Sequence, residues 1–353
     1  LALLAAAWLA LPSMASARTK TVYAGGPPKW AGSLINSTGA GVNNFLVNKV
    51  TIHVGDTVDW NGASLSSGFH TIDIPKVRKG SVLPLLVPGA TVTGQTDAAG
   101  NPFWFNGKVP SVGFNPGLLK PTGGHTYNGK SGVDSGLPLG KPTDFKVKFT
   151  KAGVYRYYCD VHYGMRGTVV VKPRKAKIPS AKQDAKTLSQ EEKHFAKEAK
   201  QLDKTTVPPN TVQLGATAPD GVEVFAMFPR LLHIAAGTTV QFAMSAHSRE
   251  VHTATFGPGA ASSAPNTYVG NLSNSFIGQP SPIAVYPSDP PGTITLSPTS
   301  HGNGFANTGV MDDNKATPSI PAFGAIKFTT PGQYAFECLI HTFMTGSIVV
   351  TPY

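Results

Sequence analysis

Cysteine is nearly missing from these 353 residues, with only Cys159 and Cys338 present. One bridge between the two halves is therefore the most that disulfide chemistry could supply. Long apolar runs are missing too. The only candidate, Leu1–Leu11, falls well short of the roughly 20 residues that cross a bilayer. Its length suits the core of an export signal, and Ala15-x-Ala17 offers a cleavage site before Arg18, so residues 1–17 are expected to be a signal peptide and the mature chain to have no transmembrane span. The chain does not open on Met, which fits a leader whose first residues precede Leu1. The formal net charge is +11, but no nucleic-acid-binding motif accompanies it, and export would remove that target. With 38 Gly and 30 Pro, long helices are disfavoured through most of the chain and turn-rich β structure is expected. A hydrophobic fraction of 41% suffices for proper cores, and the length favours about two domains.

What is present is a motif that occurs twice. Cys159 is followed by His162, Met165 and Gly167; Cys338 is followed by His341, Met344 and Gly346, at the same offsets. A single Cys159–Cys338 disulfide would not account for matching His and Met at matching distances. Thiolate, imidazole and thioether together are the donors that suit copper, and two His, one Cys and a weak axial Met make a blue, type 1 site. Each loop supplies one His, so a second must come from elsewhere. Gly55-Asp-Thr57-Val58-Asp-Trp60 is echoed 182 residues later by Gly237-Thr-Thr239-Val240-Gln-Phe242, and the same offset pairs His70-Thr71 with His252-Thr253. The expected metal ligands are thus His70, Cys159, His162 and Met165 in the first half. In the second they are His252, Cys338, His341 and Met344.

The repeat resumes before each cysteine, where Tyr155, Tyr157 and Cys159 alternate as Tyr334, Phe336 and Cys338 do, now at an offset of 179. Period two places each trio on one face of a strand. Short β-branched strands are expected after each loop, at Thr168–Val171 and Ser347–Thr351. The long stretches between first His and Cys, rich in Gly, Pro, Ser and Asn, read as surface loops with short strands. They hold one further echo, His125 to Val133 against His301 to Val310, read as a shared strand-turn element. Between the halves, Lys172–Lys204 carries ten Lys or Arg against five acidic residues. From Ser180 it is rich in helix formers, with Leu188, Phe195, Ala199 and Leu202 as a narrow apolar stripe. The division that follows is a signal at 1–17, a domain at 18–172, a basic helical linker at 173–206 and a domain at 207–353. A solvated linker is the first reading of 173–206, and a docking surface for an acidic redox partner the second.

Both halves resemble the cupredoxins, the plastocyanin/azurin/amicyanin family of blue copper proteins, and the Cys-x-x-His-x-x-Met spacing is similar to the short loop of amicyanin. The resemblance implies an all-β fold of two tandem Greek-key β-sandwich domains and single-electron transfer by two type 1 copper ions. It further implies that the downstream His of each loop, His162 and His341, has its ring edge near the surface as an electron port. Where relatives often carry Asn after the first His, tying the two ligand loops together, Thr71 and Thr253 stand here with a shorter reach. The competing class is a copper oxidoreductase of the multicopper oxidase or two-domain nitrite reductase type. A trinuclear centre takes eight further His, whereas only six of the ten remain and no His-x-His pair exists. A type 2 centre is usually reached through a His directly before the blue-site Cys, where Tyr158 and Glu337 stand instead. The expectation is an electron carrier that is periplasmic, cell-surface or secreted.

Overall fold

The computed structural model describes residues 17–62, 69–76, 84–138, 144–262, 264–313 and 323–353, so all but the last residue of the expected signal lies outside the described residues. Two pairs of sheets dominate. In the first half one sheet orders Phe45–Leu46, Thr19–Ala24, Thr57–Gly62, Asp144–Phe149 and Thr126–Tyr127. The facing sheet orders Val133–Asp134, Asp73–Ile74, Gly153–Tyr158, Arg166–Lys172 and Lys49–His53. Alternation puts Val58, Trp60, Val147, Phe149, Tyr155, Tyr157, Val169 and Val171 into one core between them. The second half repeats this layout strand for strand. Thr211–Thr217, Thr239–Met244 and Phe323–Phe328 lie in one sheet; Leu231–Ala235, Thr345–Thr351, Gly332–Glu337, Thr255–Phe256 and Ala306–Asn307 form the other. Its core gathers Val212, Val240, Phe242, Phe256, Ile326, Phe328, Phe336 and Ile348.

The glycine that ends each motif has a packing reason. Gly167 lies opposite Tyr157, and Gly346 opposite Phe336, across the hairpin that carries the cysteine. A Cβ at either position would run into the facing ring. Glycine lets the aromatic lie flat over the hairpin beneath the loop.

Three features join the halves more closely than a solvated linker would. The segment Ala40–Val42 leaves the first sandwich and adds an edge strand to the second, pairing with Val222–Phe228. Every residue of Val222–Phe228 is consequently buried. Phe225 and Met227 face the second core, while Val222, Val224, Ala226 and Phe228 face a separate cluster with Leu34, Ala40, Val42, Leu46, Phe195 and Ala199. The charged stretch forms the helix Ala181–Leu202, opened by a capping box of Ser180 and Gln183. Phe195 and Ala199 are buried, with Leu188 and Leu202 packed beside them, so its apolar stripe is used against the body. A further helix, Pro28–Thr38, packs in the same cluster.

The long insertions are not simply surface loops. Phe103 and Phe105 of the first half pack with Val269, Ala284, Phe305 and Leu339 of the second. Helices Tyr268–Ser275 and Pro282–Val285 build that cluster. Trp104 Nε1 donates to Pro287 O at 2.8 Å and Tyr286 Oη to Pro110 O at 2.6 Å.

Candidate metal centre

Each centre is assembled from two places in a sandwich. In the first half, the chain leading into Asp73–Ile74 brings His70, and the turn between Gly153–Tyr158 and Arg166–Lys172 brings Cys159, His162 and Met165. The turn is closed by two backbone bonds, Cys159 N to Met165 O at 3.1 Å and Met165 N to His162 O at 3.0 Å. The second turn repeats them, Cys338 N to Met344 O at 3.0 Å and Met344 N to His341 O at 2.7 Å. Cys159, His70, His162 and Met165 are all buried, as are Cys338, His252 and Met344.

The donor atoms converge. His70 Nδ1 lies 2.9 Å from His162 Nδ1, and Cys159 Sγ lies 3.4 Å from His162 Nδ1 and 3.9 Å from His70 Nδ1. In the second half His252 Nδ1 and His341 Nδ1 are 3.2 Å apart, with Cys338 Sγ 3.7 and 3.8 Å away. A triangle with sides of about 3.5 Å has its centre about 2.0 Å from each corner, the length of a metal–imidazole bond. Two buried Nδ1 atoms this close need a proton or a metal ion between them. The donor set, two imidazoles and a thiolate with a methionine in the same turn, therefore fits copper. Both cysteines are free and buried, so the structure holds no bridge between them.

Electrostatics point the same way. Burial alone would raise both thiols, but the facing rings, His162 and His70 in one centre and His252 and His341 in the other, outweigh it and hold both well below the ordinary thiol range. Burial, with His162 as second cause, pushes His70 down and favours the neutral ring a metal needs.

The threonines do reach across. Thr71 Oγ1 donates to Asp160 Oδ2 at 2.8 Å and accepts from Asp160 N at 2.8 Å. Thr253 Oγ1 accepts from Leu339 N at 2.9 Å, and Thr253 N points at Cys338 Sγ from 3.5 Å. In each half the residue after the cysteine closes the tie, which makes up for the shorter side chain.

Where the rings point differs from the expectation. His162 is only 2% exposed, covered by the second half, and its Nε2 donates to Glu250 at 2.9 Å. His341 retains more access, beside exposed Phe343 and against Phe225, the two rings tilted with centroids 4.9 Å apart. His252 Nε2 bonds the fully buried Glu223 at 2.7 Å. Glu250 and Glu223 are the functional-site residues that sequence reasoning passed over. A signal existed for Glu223, a lone acid in the apolar run Val222–Phe228. His125 and His301 are elsewhere: His125 Nδ1 bonds Lys146 O, and His301 sits between Asp97 and Asp289 and stacks on Phe103. Their strands do not correspond either, since Val133–Asp134 is matched by Ala306–Asn307, not by Val310.

Comparison with known proteins agrees with this geometry. Residues 125–172, which include Cys159, His162 and Met165, match the sequence profile of copper binding proteins of the plastocyanin/azurin family. No curated relative matches the chain. Among solved structures, a mutant amicyanin in its Cu(I) form is 16% identical over 42% of this chain and 87% of that one, with a TM-score of 0.21. Oxidized plastocyanin from Dryopteris crassirhizoma is 19% identical over 40% of this chain and 99% of that one, with a TM-score of 0.22. Superpositions that slight carry no weight, and the matched segment, the paired sheets and the converging donors are what count. Residues 125–172 are thus similar to copper binding proteins of the plastocyanin/azurin family, and the second half repeats the same sheet layout and the same converging His and Cys donors.

Proposed function

We propose that this chain is an exported electron carrier with two type 1 copper centres. His70, Cys159, His162 and Met165 hold one, and His252, Cys338, His341 and Met344 hold the other. The observation that carries this reading is the twofold occurrence of the same converging donors at the same place in two sandwiches. When bound, copper supplies a one-electron couple between its +1 and +2 states. The protein's part is to hold the donors still. Backbone bonds close each turn, a threonine ties it to the segment bearing the first His, and apolar cores surround the turn. Ligands that barely move between oxidation states cost little reorganisation, which is what fast exchange requires.

Tyr158 and Glu337 precede the two cysteines, so neither turn offers an adjacent His to a catalytic metal, and a carrier is favoured over an oxidoreductase. For the partner, an acidic redox protein is proposed. A cleft of about 480 Å³ beside Gly164 of the first copper turn is lined by Lys49, Arg156, Arg166 and Arg249. Such a cleft attracts carboxylates and speeds encounter at low salt.

A copper count with absorption and EPR spectra tests the reading. Two coppers per chain, both blue and type 1, are expected, and Cys159→Ser should remove about half the blue absorption while leaving Cys338 chemistry in place. A type 2 signal with nitrite or oxygen turnover would overturn it, as would a colourless copper-loaded protein.

A further inference from the structure

The outer nitrogens of the two downstream ligand histidines meet at one carboxylate. Glu250 Oε1 accepts from His162 Nε2 at 2.9 Å and from Asn43 Nδ2 at 3.0 Å, while Oε2 faces His341 Nε2 at 3.6 Å. Glu250 belongs to the second half and His162 to the first. Asn43 sits in the segment that crosses between them, where Arg249 Nη1 also donates to its carbonyl. Two residues away, Ser248 Oγ accepts from Glu250 N at 3.2 Å and donates to Glu223, the partner of His252. Three of the four ligand histidines therefore end on one buried acidic network that spans the two sandwiches.

Chemistry gives this arrangement a consequence. A carboxylate only accepts, so each ring facing it presents an N–H at Nε2 and keeps the Nδ1 lone pair for the thiol side, where a metal would sit. A carboxylate on the far N–H also makes the ligating nitrogen more basic and fixes the ring. Here a single carboxylate serves both centres, and unequally: it bonds His162 and reaches His341 only at ion-pair distance. With the first centre filled, His162 would become a stronger donor at Nε2 and would draw the carboxylate further toward it, at the expense of His341. The effect must run equally in the other direction, because coupling between binding sites is reciprocal.

We propose that Glu250 is a positioning residue shared by both copper centres, and that through it the occupancy of one centre sets the affinity of the other. This rests on the two-copper reading above. The test uses the full chain. In Cys338→Ser, which leaves the first centre intact, Cu(I) is titrated while the His341 Nε2–H signal is followed by NMR. Filling the first centre should move that signal, and adding Glu250→Gln should abolish the movement. In parallel, Cu(I) affinities are measured against a chromogenic chelator in Cys159→Ser and in Cys338→Ser, each with and without Glu250→Gln. Loss of a carboxylate behind a ligand His typically costs 10–100-fold in metal affinity, so both centres should weaken by about tenfold or more. A His341 signal indifferent to the first centre, or a loss confined to one centre, overturns the inference while two coppers still bind the parent chain. A parent chain that binds no copper sinks the two-copper reading itself.

Discussion

At the scale of single residues, the two halves solve one problem differently. Beside the first centre stand Asp73, Asp134 and Asp160, close enough to one another to form a carboxylate group. By strand register the matching positions in the second half are Thr255 and Asn307, which share a neutral bond of 2.8 Å, while Leu339 follows the cysteine. Burial, then the neighbouring Asp134, pushes Asp73 from 3.8 up to about 7. A raised carboxyl favours the folded state only while it is protonated. Its contribution is complete below 3.8 and is lost as pH rises through about 7. Asp73→Asn should therefore leave the melting temperature of the copper-free protein unchanged at about pH 3 and raise it at about pH 8, by an amount worth about 2 kcal/mol after allowance for partial solvation. Equal melting temperatures at pH 8 would show that the acid group is solvated after all. The convergence of His70, Cys159 and His162, and of His252, Cys338 and His341, was legible from residue types and spacing because metal coordination demands particular atoms at one point. Glu250 was not, because a carboxylate two residues before His252 looks like any surface acid until the other half of the chain is folded against it.

At the scale of elements, the linker helix shows how far composition reaches. Helix formers, the Ser180 cap and the stripe of Leu188, Phe195, Ala199 and Leu202 mark Ala181–Leu202 clearly, and charge on the remaining faces suggested a solvated spacer. What composition could not reveal was a waiting partner for the stripe. That partner is the outer face of Val222–Phe228, whose unbroken apolar run matches a strand covered on both sides. Helix Pro28–Thr38 was hidden for a different reason, since its Pro-Pro entry and flanking glycines read as turn signals. Because Phe195 is buried among residues of both halves, Phe195→Ala should cost about 3 kcal/mol and lower the midpoint of chemical denaturation. Ser180→Ala, which removes only the cap, should cost about 1 kcal/mol. If the two variants unfold alike, the helix is a spacer and its packing contributes nothing.

At the scale of the whole molecule, the issue is whether two cupredoxin-like halves behave as beads on a string. The second sandwich borrows Ala40–Val42 as its edge strand, and its Val222, Val224, Ala226 and Phe228 are covered by residues from the first half and the linker helix. Exposing four such side chains costs about 1.5–3 kcal/mol for each of the larger ones. The total is comparable with the 5–15 kcal/mol that holds an ordinary domain together. The insertion carrying Phe103 and Phe105 adds a second seam, reaching Leu339 in the turn that follows Cys338. The full chain should therefore melt in one transition, with near-UV and far-UV circular dichroism coinciding. Residues 207–353 expressed alone should be aggregation-prone and lose the second centre's copper, since an uncovered apolar face and an open sheet edge both invite association. Co-expression with residues 18–206 should restore both solubility and colour. Two well-separated melting transitions, or a soluble blue fragment 207–353, would instead make each half a self-sufficient carrier and leave the borrowed strand without a structural purpose.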